Sequence, residues 1–482
     1  MTAEAAGGLK VATGGPEKAN GDEEATWLAV DGPVLRDGRG RAVVLRGVSI
    51  GGWLNMENFI LGYPSTESAL REALAKVLGQ ARSEVLLGSL LDNFFTEKDA
   101  ELLASLGANV VRLPLNYRHF QDDMRPGEVK QSGFRLLDRA VKACGRHGIY
   151  TILDLHALPG SQNHDWHSDN RCGRPLLWEH RDFQDRAVAI WVALADHYRD
   201  EPWVAGYNLI NEPADEEGHR LVGLYNRLAG EIGAVDPRHV LFLDGNRYAQ
   251  EFADFGEPLP NSVYAVHHYP APGAMPGEGY PGTTGGKYYD ASVLAEELDT
   301  LTAYMKLHNV PVWVGELGPV YTASALANAG RRQLLADQLQ LYNERAASWC
   351  LWTYKDVGVQ GLVRVNEDSP WMRRTRRLRR KKQRLGVDSW GGDATEVQDV
   401  MGPLMARLHR ELPGWRPYPF GAAARANLLV RHTLFAEALA EEFAALFAQA
   451  TDRELLELGE SFALSSCSPD EAILPLVAKA FR

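Results

Sequence analysis

The chain has 482 residues, of which 45% are hydrophobic and 24% are charged, and its formal net charge is −12. This length suits one barrel domain of roughly 250–350 residues with additions, and the composition is that of a globular protein. The acidic balance argues against bulk nucleic-acid binding, which requires an excess of Lys and Arg to neutralise phosphates. A largely neutral ligand fits the charge better.

The four cysteines are widely spaced and form no CxxC pair, so the sequence indicates reduced thiols and neither a disulfide framework nor a ribbon-type zinc site. No stretch reaches the roughly 18 apolar residues of a membrane helix. Residues 1–26 form a lead rich in Gly and Ala, without a charged region followed by an apolar core. We therefore expect a flexible lead, no transmembrane segment and a cytoplasmic location.

The segment 27–370 alternates between short apolar runs and helical patterns, after a small hairpin predicted to turn at Asp37–Gly40. The apolar runs predict strands at 43–50, 108–117, 150–156, 207–213, 239–246, 262–270, 310–318 and 348–356. The spacing predicts helices within 66–105, where Thr96 is a cap, and at 134–147, 182–198, 216–234, 291–308 and 328–346. Eight strand–helix units predict an α/β fold, a (β/α)₈ barrel of parallel strands. The Gly- and Pro-rich loop before Gly286 is long enough to form a lid or a wall.

A basic insertion or linker follows at 371–396, and the run 372–386 carries nine Arg and Lys residues. We interpret it as a solvated helix or loop paired with acidic surface groups. Weak contact of 373–384 with an anionic membrane or polymer is the alternative.

The last segment, 397–482, has helical spacing. Apolar residues follow one face at Phe435, Leu439, Phe443 and Leu446, and Thr451 with Glu454 forms a capping box. This C-terminal helical extension is expected to pack on the barrel or on a partner subunit, which would make a homo-oligomer.

Two glutamates each close an apolar run, Glu212 in "YNLINEP" (207–213) and Glu316 in "VPVWVGELG" (310–318). Parallel barrel strands deliver such residues to one rim, where barrel enzymes keep their chemistry. Two carboxyls on one rim can share a glycosidic bond, one as acid and base and the other as nucleophile. Side chains suited to sugar binding or proton control end the same runs: Arg112, His156, Asn211, His267, Tyr269 and Trp352.

These motifs resemble glycoside hydrolase family 5 over roughly residues 40–360. The resemblance rests on "NEP" at 211–213 and "GELG" at 315–318, with "VVRLPLNY", "DLH", "HHY" and "LWTY" in support. The segments "LRGVSIGGWLNMENF" and "LDLHALPGSQN" are most similar to the exo-β-1,3-glucanase and glucosylceramidase-like branch. After "SQN" the chain turns to "HDWHSDN" and departs from the glucanase pattern.

The resemblance implies that Glu212 is the general acid/base and Glu316 the nucleophile of a retaining mechanism. Arg112 and Tyr269 are then suited to keep Glu316 ionised. Asn211 could bond the sugar 2-hydroxyl, a contact that strengthens in the transition state.

For the remaining matched positions, the resemblance implies substrate contacts. His156 and His267 would donate to hydroxyls or to the nucleophile, and core histidines are the alternative. Trp352 would lie under the apolar face of the sugar, unless it is core and Trp349 is the exposed residue instead. Glu57 would bind hydroxyls at the distal side of the terminal sugar.

The divergent loop supplies Asp165, Trp166 and His167, which we expect to line the substrate pocket. A cluster of His164, Asp165, His167 and Cys172 could instead bind zinc. The family chemistry needs no metal, so no metal or other cofactor is expected.

The sequence therefore predicts a retaining β-glycosidase that acts on a carbohydrate or glycoside. By resemblance it removes a terminal sugar, glucose first and mannose second, while a glucosylceramide-type lipid glycoside is a further candidate. Transglycosylation and a catalytically silent carbohydrate-binding barrel are the rival hypotheses.

Overall fold

The computed structural model describes residues 27–482 apart from 276, 278, 388–389 and 391–396. The predicted lead at 1–26 and part of the predicted linker lie outside these residues. Eight parallel strands close into a barrel, in sequence order around the ring. These strands, β1 to β8, are Arg46–Ser49, Val110–Asn116, Tyr150–Ala157, Val204–Asn208, Val240–Asp244, Ser262–His268, Val312–Leu317 and Ser348–Leu351. The predicted (β/α)₈ barrel is confirmed.

Helices surround the barrel. Between β1 and β7 they are Asn58–Leu61, Glu67–Leu78, Gln80–Phe94, Glu97–Leu106, Phe134–Arg146, Arg181–Tyr198, His219–Val235, Asn246–Ala249, Ala271–Ala274, Ala291–Leu301 and Ala303–His308. After β7 come Ala325–Glu344, Pro370–Arg384, Gln398–Glu411, Gly421–Asn427, the π-helical turn Leu428–Leu434, Phe435–Ala445, Asp452–Glu460 and Leu474–Phe481. The pattern at 291–308 predicts one helix, whereas the structure has two, because the chain leaves the helical conformation at Thr302.

Short strands form outside the barrel, at Ala29–Asp31, Val34–Arg36, Ala42–Val43, Gln121–Asp122, Arg125–Val129, Gly282–Thr284, Lys287–Tyr289, Lys355–Asp356, Val363–Val365 and Cys467–Pro469. The first three make the predicted N-terminal hairpin, which turns at Asp37–Gly40. Its Leu28 and Leu35 pack with barrel residues such as Leu45 and Val240 at the amino ends of the strands. The hairpin therefore covers one end of the barrel and leaves the carboxyl ends for the site.

The Gly- and Pro-rich loop before Gly286 packs outward. Its Tyr280 and the following Tyr289 are buried against Leu294 and Leu334 of the surrounding helices. Tyr280 also donates a hydrogen bond of 2.7 Å to Asp337.

The basic segment forms the helix Pro370–Arg384, which is partly buried. Trp371, Leu378 and Lys382 face the protein interior, whereas Arg377 and Arg380 are exposed. Arg374 lies 3.3 Å from Glu454 and Lys381 lies 2.5 Å from Glu442, so acidic side chains of the extension pair with two cations of this helix. The buried face could not be expected from the charge pattern alone.

The C-terminal helices pack on the barrel wall of the same chain. Ser89 donates to the Leu456 carbonyl, and a Cβ at Gly459 would lie only 2.5 Å from the Leu90 nitrogen. The capping box of Thr451 and Glu454 begins the helix that makes this contact. In the described part of the chain, no helix has both the length and the apolarity that crossing a bilayer requires.

Candidate active site

Glu316 is held at the end of β7 by two donors. Arg112 Nη1 donates to its Oε1 over 2.7 Å, and the Tyr269 hydroxyl donates to its Oε2 over 2.9 Å. Its side chain is 6% exposed. Both oxygens therefore have fixed partners, and the carboxylate has one orientation towards the centre of the site.

Arg112 is fully buried and joins several barrel strands. Its Nη2 donates to Asn211 Oδ1 over 2.6 Å and lies 3.0 Å from Asp154 Oδ2, while Nε donates to Asn208 over 3.1 Å. Burial alone would lower the pKa of Arg112, but Asp154 and Glu316 raise it above its ordinary value. The guanidinium is thus a permanent cation beside Glu316.

Glu212 lies four residues beyond the end of β4, in a left-handed backbone conformation with φ of 45°. Its amide donates to Asp244 Oδ2 over 2.9 Å, and its carbonyl accepts from Asn163 Nδ2 over 3.0 Å. A non-glycine residue in this region is uncommon and is concentrated at functional sites, where neighbouring contacts hold it.

Two histidines hold the side chain of Glu212. His267 Nδ1 lies 2.7 Å from Oε1, and His167 Nε2 lies 3.1 Å from Oε2. Burial opposes a charge on Glu212, yet the hydrogen bonds from His167 and His267 lower its pKa. Burial likewise opposes a charge on each imidazole, but the carboxylates raise the pKa of both histidines. These contacts therefore favour the ionised form of Glu212 and the charged form of each imidazole.

The two predicted catalytic carboxyls meet across His267. A carboxylate oxygen of Glu212, a ring nitrogen of His267 and a carboxylate oxygen of Glu316 lie within 4.8 Å of one another. Carboxyls of retaining glycosidases are about 5–5.5 Å apart, so this spacing suits a nucleophile better than an intervening water. In the described part of the chain, His164, Asp165, His167 and Cys172 form no comparable group, which gives the zinc alternative no support.

His156 and Trp352 form another wall. Their rings stack with centroids 5.2 Å apart and planes inclined by 5°. His156 Nδ1 lies 2.7 Å from Asp154, and Nε2 lies 3.4 Å from Glu57. Burial would lower the pKa of His156, but Asp154 first and Glu57 next raise it to about 10.

Trp349, the alternative to Trp352, is core, and so is Trp53 of the segment "LRGVSIGGWLNMENF". Trp349 and Trp53 are fully buried, with their indole nitrogens bonded to Asn343 and the Leu91 carbonyl. Of the two alternatives left by the sequence, Trp352 is the one beside the site.

The divergent loop places Asp165, Trp166 and His167 near Glu212, the predicted acid. Asp165 accepts a 2.7 Å hydrogen bond from Tyr248, and burial raises its pKa. Trp166 is 8% exposed and packs against His167 and, from the extension, His432. All twelve predicted residues thus lie in or beside one site, but their catalytic and binding roles stay predictions.

Sequence reasoning missed several residues that shape this site. Asp154 and Asp244 each close an apolar run, which is the same signal that identified the glutamates. Asn163 belongs to the quoted "SQN" segment. Trp390, whose ring centroid lies 4.7 Å from that of Tyr269, carries no such signal.

Known proteins resemble this chain over most of its length. Residues 87–358 match the model of a family described as cellulase, glycosyl hydrolase family 5. The chain is 42% identical over 463 residues to a beta-xylosidase of Phanerodontia chrysosporium, covering 92% of this chain and 95% of the relative. It is 26% identical over 376 residues to a probable glucan 1,3-beta-glucosidase A of Aspergillus niger, covering 67% of this chain and 85% of that relative.

Solved structures share the fold. An endogalactoceramidase structure matches with a TM-score of 0.51 at 18% identity, covering 69% of this chain and 75% of that chain. A structure described as a glycoside hydrolase matches with a TM-score of 0.50 at 20% identity, covering 65% of this chain and 89% of that chain.

Proposed function

This chain belongs to glycoside hydrolase family 5 and is a retaining β-glycosidase, and from that premise we propose that it releases a single terminal sugar from β-xylosides. The observation that carries the glycosidase chemistry is the pairing of Glu212 with Glu316, each held by its own donors on one barrel rim. The choice of xylose is supported by the 42% identity to the beta-xylosidase of Phanerodontia chrysosporium. β-Glucosides are the second candidate, because the Aspergillus niger relative is a probable glucan 1,3-beta-glucosidase.

In the first step, a carboxylate oxygen of Glu316 attacks the anomeric carbon and forms an ester bond with the sugar. The bond from this carbon to the leaving oxygen breaks, and Glu212 gives that oxygen a proton. His267 is placed to pass a proton to Glu212, because its Nδ1 lies 2.7 Å from Glu212 Oε1. Arg112 and Tyr269 orient Glu316 for the attack.

In the second step, Glu212 acts as a base. It takes a proton from water while the water oxygen bonds to the anomeric carbon, and the ester bond to Glu316 breaks. The hydrogen bonds from the two histidines favour the ionised form of Glu212 that this step requires. A sugar hydroxyl in place of water would give transglycosylation, which product analysis at high acceptor concentration detects.

The remaining site residues suit one sugar ring. Trp352 offers an aromatic face, while Glu57, His156 and Asn211 offer acceptors and donors for hydroxyls.

The test is a panel of aryl β-glycosides of xylose, glucose, mannose, galactose and fucose, with Glu212→Gln and Glu316→Gln as variants. We expect the highest kcat/KM on the xyloside and a loss of at least about 10²-fold in each variant. Azide should rescue Glu316→Gly to a glycosyl azide of inverted configuration, and Glu212→Gly to one of retained configuration. Rescue in the opposite sense would reverse the two roles, and a preference for glucoside would select the second candidate.

A further inference from the structure

Trp390 lies between Tyr269, which follows β6, and Phe59, which follows β1. Its ring centroid lies 4.7 Å from that of Tyr269, with the planes at 83°, and 6.5 Å from that of Phe59. Tyr269 follows β6, whereas Phe59 lies in the connection after β1. The indole therefore lies between the connection that follows β1 and the one that follows β6.

Hydrogen bonds hold the indole in this position. Its Nε1 donates to Gln360 Oε1 over 2.6 Å, and Gln360 Nε2 donates to the Gly318 carbonyl over 3.0 Å. Gln360 is 3% exposed, and Gly318 lies two residues beyond Glu316. The position of Trp390 is thus tied to the segment that carries the nucleophile.

The basic helix Pro370–Arg384 also holds the connection after β1 in place. Lys382 Nζ donates to the Asn58 carbonyl over 3.0 Å and to the Tyr63 carbonyl over 2.8 Å, and Trp371 Nε1 donates to the Leu61 carbonyl. These bonds fix the connection that carries Glu57 and Phe59. Both faces against which Trp390 packs are therefore held in place.

The catalytic pair defines which end of the site Trp390 occupies. The acid protonates the oxygen between sugar and leaving group, so the leaving group lies beside Glu212. The sugar that becomes bonded to Glu316 lies beside that residue. Tyr269 contacts Glu316, and Trp390 packs between Tyr269 and Phe59, which lies two residues after Glu57.

We propose that Trp390 closes the sugar-binding end of the site, so that one sugar unit fits between it and the catalytic pair and a second unit is excluded. This inference rests on the proposed function and names the residue that enforces release of one terminal sugar. Trp390 lies beyond the segment 87–358 that matches the family model, so the restriction comes from outside the shared barrel.

The test on the wild-type protein compares 4-nitrophenyl β-xyloside with 4-nitrophenyl β-xylobioside, or the glucoside with the cellobioside if glucose is preferred. A closed end forces removal of the terminal sugar first, so the free monosaccharide precedes nitrophenol, which appears after a lag. Nitrophenol release from the disaccharide without a lag, together with the intact disaccharide, would overturn the inference. Absence of turnover on every monosaccharide glycoside would instead overturn the proposed function.

The variant Trp390→Ala opens this end. We expect direct release of the disaccharide to rise at least about tenfold relative to monosaccharide release. Trp390→Phe keeps a ring and should retain the wild-type products. Trp415→Ala is the matched control, because Trp415 is a 40% exposed tryptophan that also follows the barrel. A folded Trp390→Ala protein that still removes only one sugar overturns the inference, and the wild-type lag decides the matter if that variant does not fold.

Discussion

The Nδ1 atom of His267 lies 2.7 Å from Oε1 of Glu212. The same atom is 3.6 Å from Oε2 of Glu316, so one imidazole faces both carboxyls. Burial opposes a charge on this ring, but Glu316 first and Glu212 next raise its pKa. His267 is therefore the group through which protonation of the acid and the charge of the nucleophile influence each other.

Replacing His267 with Asn should raise the pKa of Glu212, because a donor and cation that favours its ionised form is lost. When deglycosylation limits kcat, as with an activated aryl leaving group, the base form of Glu212 is required. The acid limb of the kcat–pH profile should therefore move to higher pH, and kcat should fall by about 10²-fold.

His268→Asn is the matched control for this prediction. His268 is the next residue, is also buried, and contacts Tyr342 instead of the catalytic pair. An unchanged acid limb in His267→Asn, or an equal shift in both variants, would contradict the assigned relationship.

Tyr269→Phe should remove one of the two hydrogen bonds to Glu316 and keep the ring that packs against Trp390. A hydrogen bond to a charged group contributes about 1.5–3 kcal/mol, so kcat/KM should fall by about 10- to 100-fold. Tyr304→Phe is the control, because the Tyr304 hydroxyl donates to the Gly256 carbonyl away from the site. Steady-state kinetics with one aryl glycoside measures both variants, and near-equal rates would argue against a role for Tyr269 in holding the nucleophile.

The barrel and the catalytic pair could be predicted because local patterns encode them. Glu212 and Glu316 each close a short apolar run, and a parallel barrel necessarily gathers the carboxyl ends of such runs. The partners of Glu212 were harder to assign, since His167 lies in a loop. The distance between His167 and Glu212 also depends on the left-handed backbone conformation of Glu212. Trp390 could not be predicted at all. It stands in the polar, Gly-rich stretch "VDSWGGDA" without periodicity, and only the fold shows what it contacts.

The pKa of His156 provides a prediction on stability. Its folded-state pKa is raised to about 10, whereas the unfolded value is about 6.5. The stabilisation is therefore fully present below pH 6.5 and is lost as the pH rises through about 10. The free energy of unfolding of the wild type should fall across this window, and each pKa unit corresponds to about 1.4 kcal/mol.

Urea unfolding at pH 6, 8 and 10 measures this effect in the wild type and in His156→Gln. The variant should be less stable at pH 6 and should lose less stability as the pH rises. His219→Gln is the control, because the His219 side chain is 71% exposed. Parallel pH profiles for wild type and His156→Gln would show that Asp154 and Glu57 do not hold the imidazole in its charged form.

The last prediction concerns the basic helix, where charge alone would assign Lys382 and Arg377 the same solvated role. Lys382 is 2% exposed and donates to two main-chain carbonyls, those of Asn58 and Tyr63, whereas Arg377 is exposed. Lys382→Met keeps the aliphatic stem but removes this donor. The Asn58 carbonyl keeps its hydrogen bond from the Gly62 N–H, whereas loss of the donor to the Tyr63 carbonyl costs about 1–3 kcal/mol if that group is left unsatisfied. We therefore expect a lower Tm together with a raised KM, because the connection carrying Glu57 is held by these bonds. Arg377→Met should change neither quantity. Equal effects of the two substitutions on Tm and KM would contradict a structural role for Lys382.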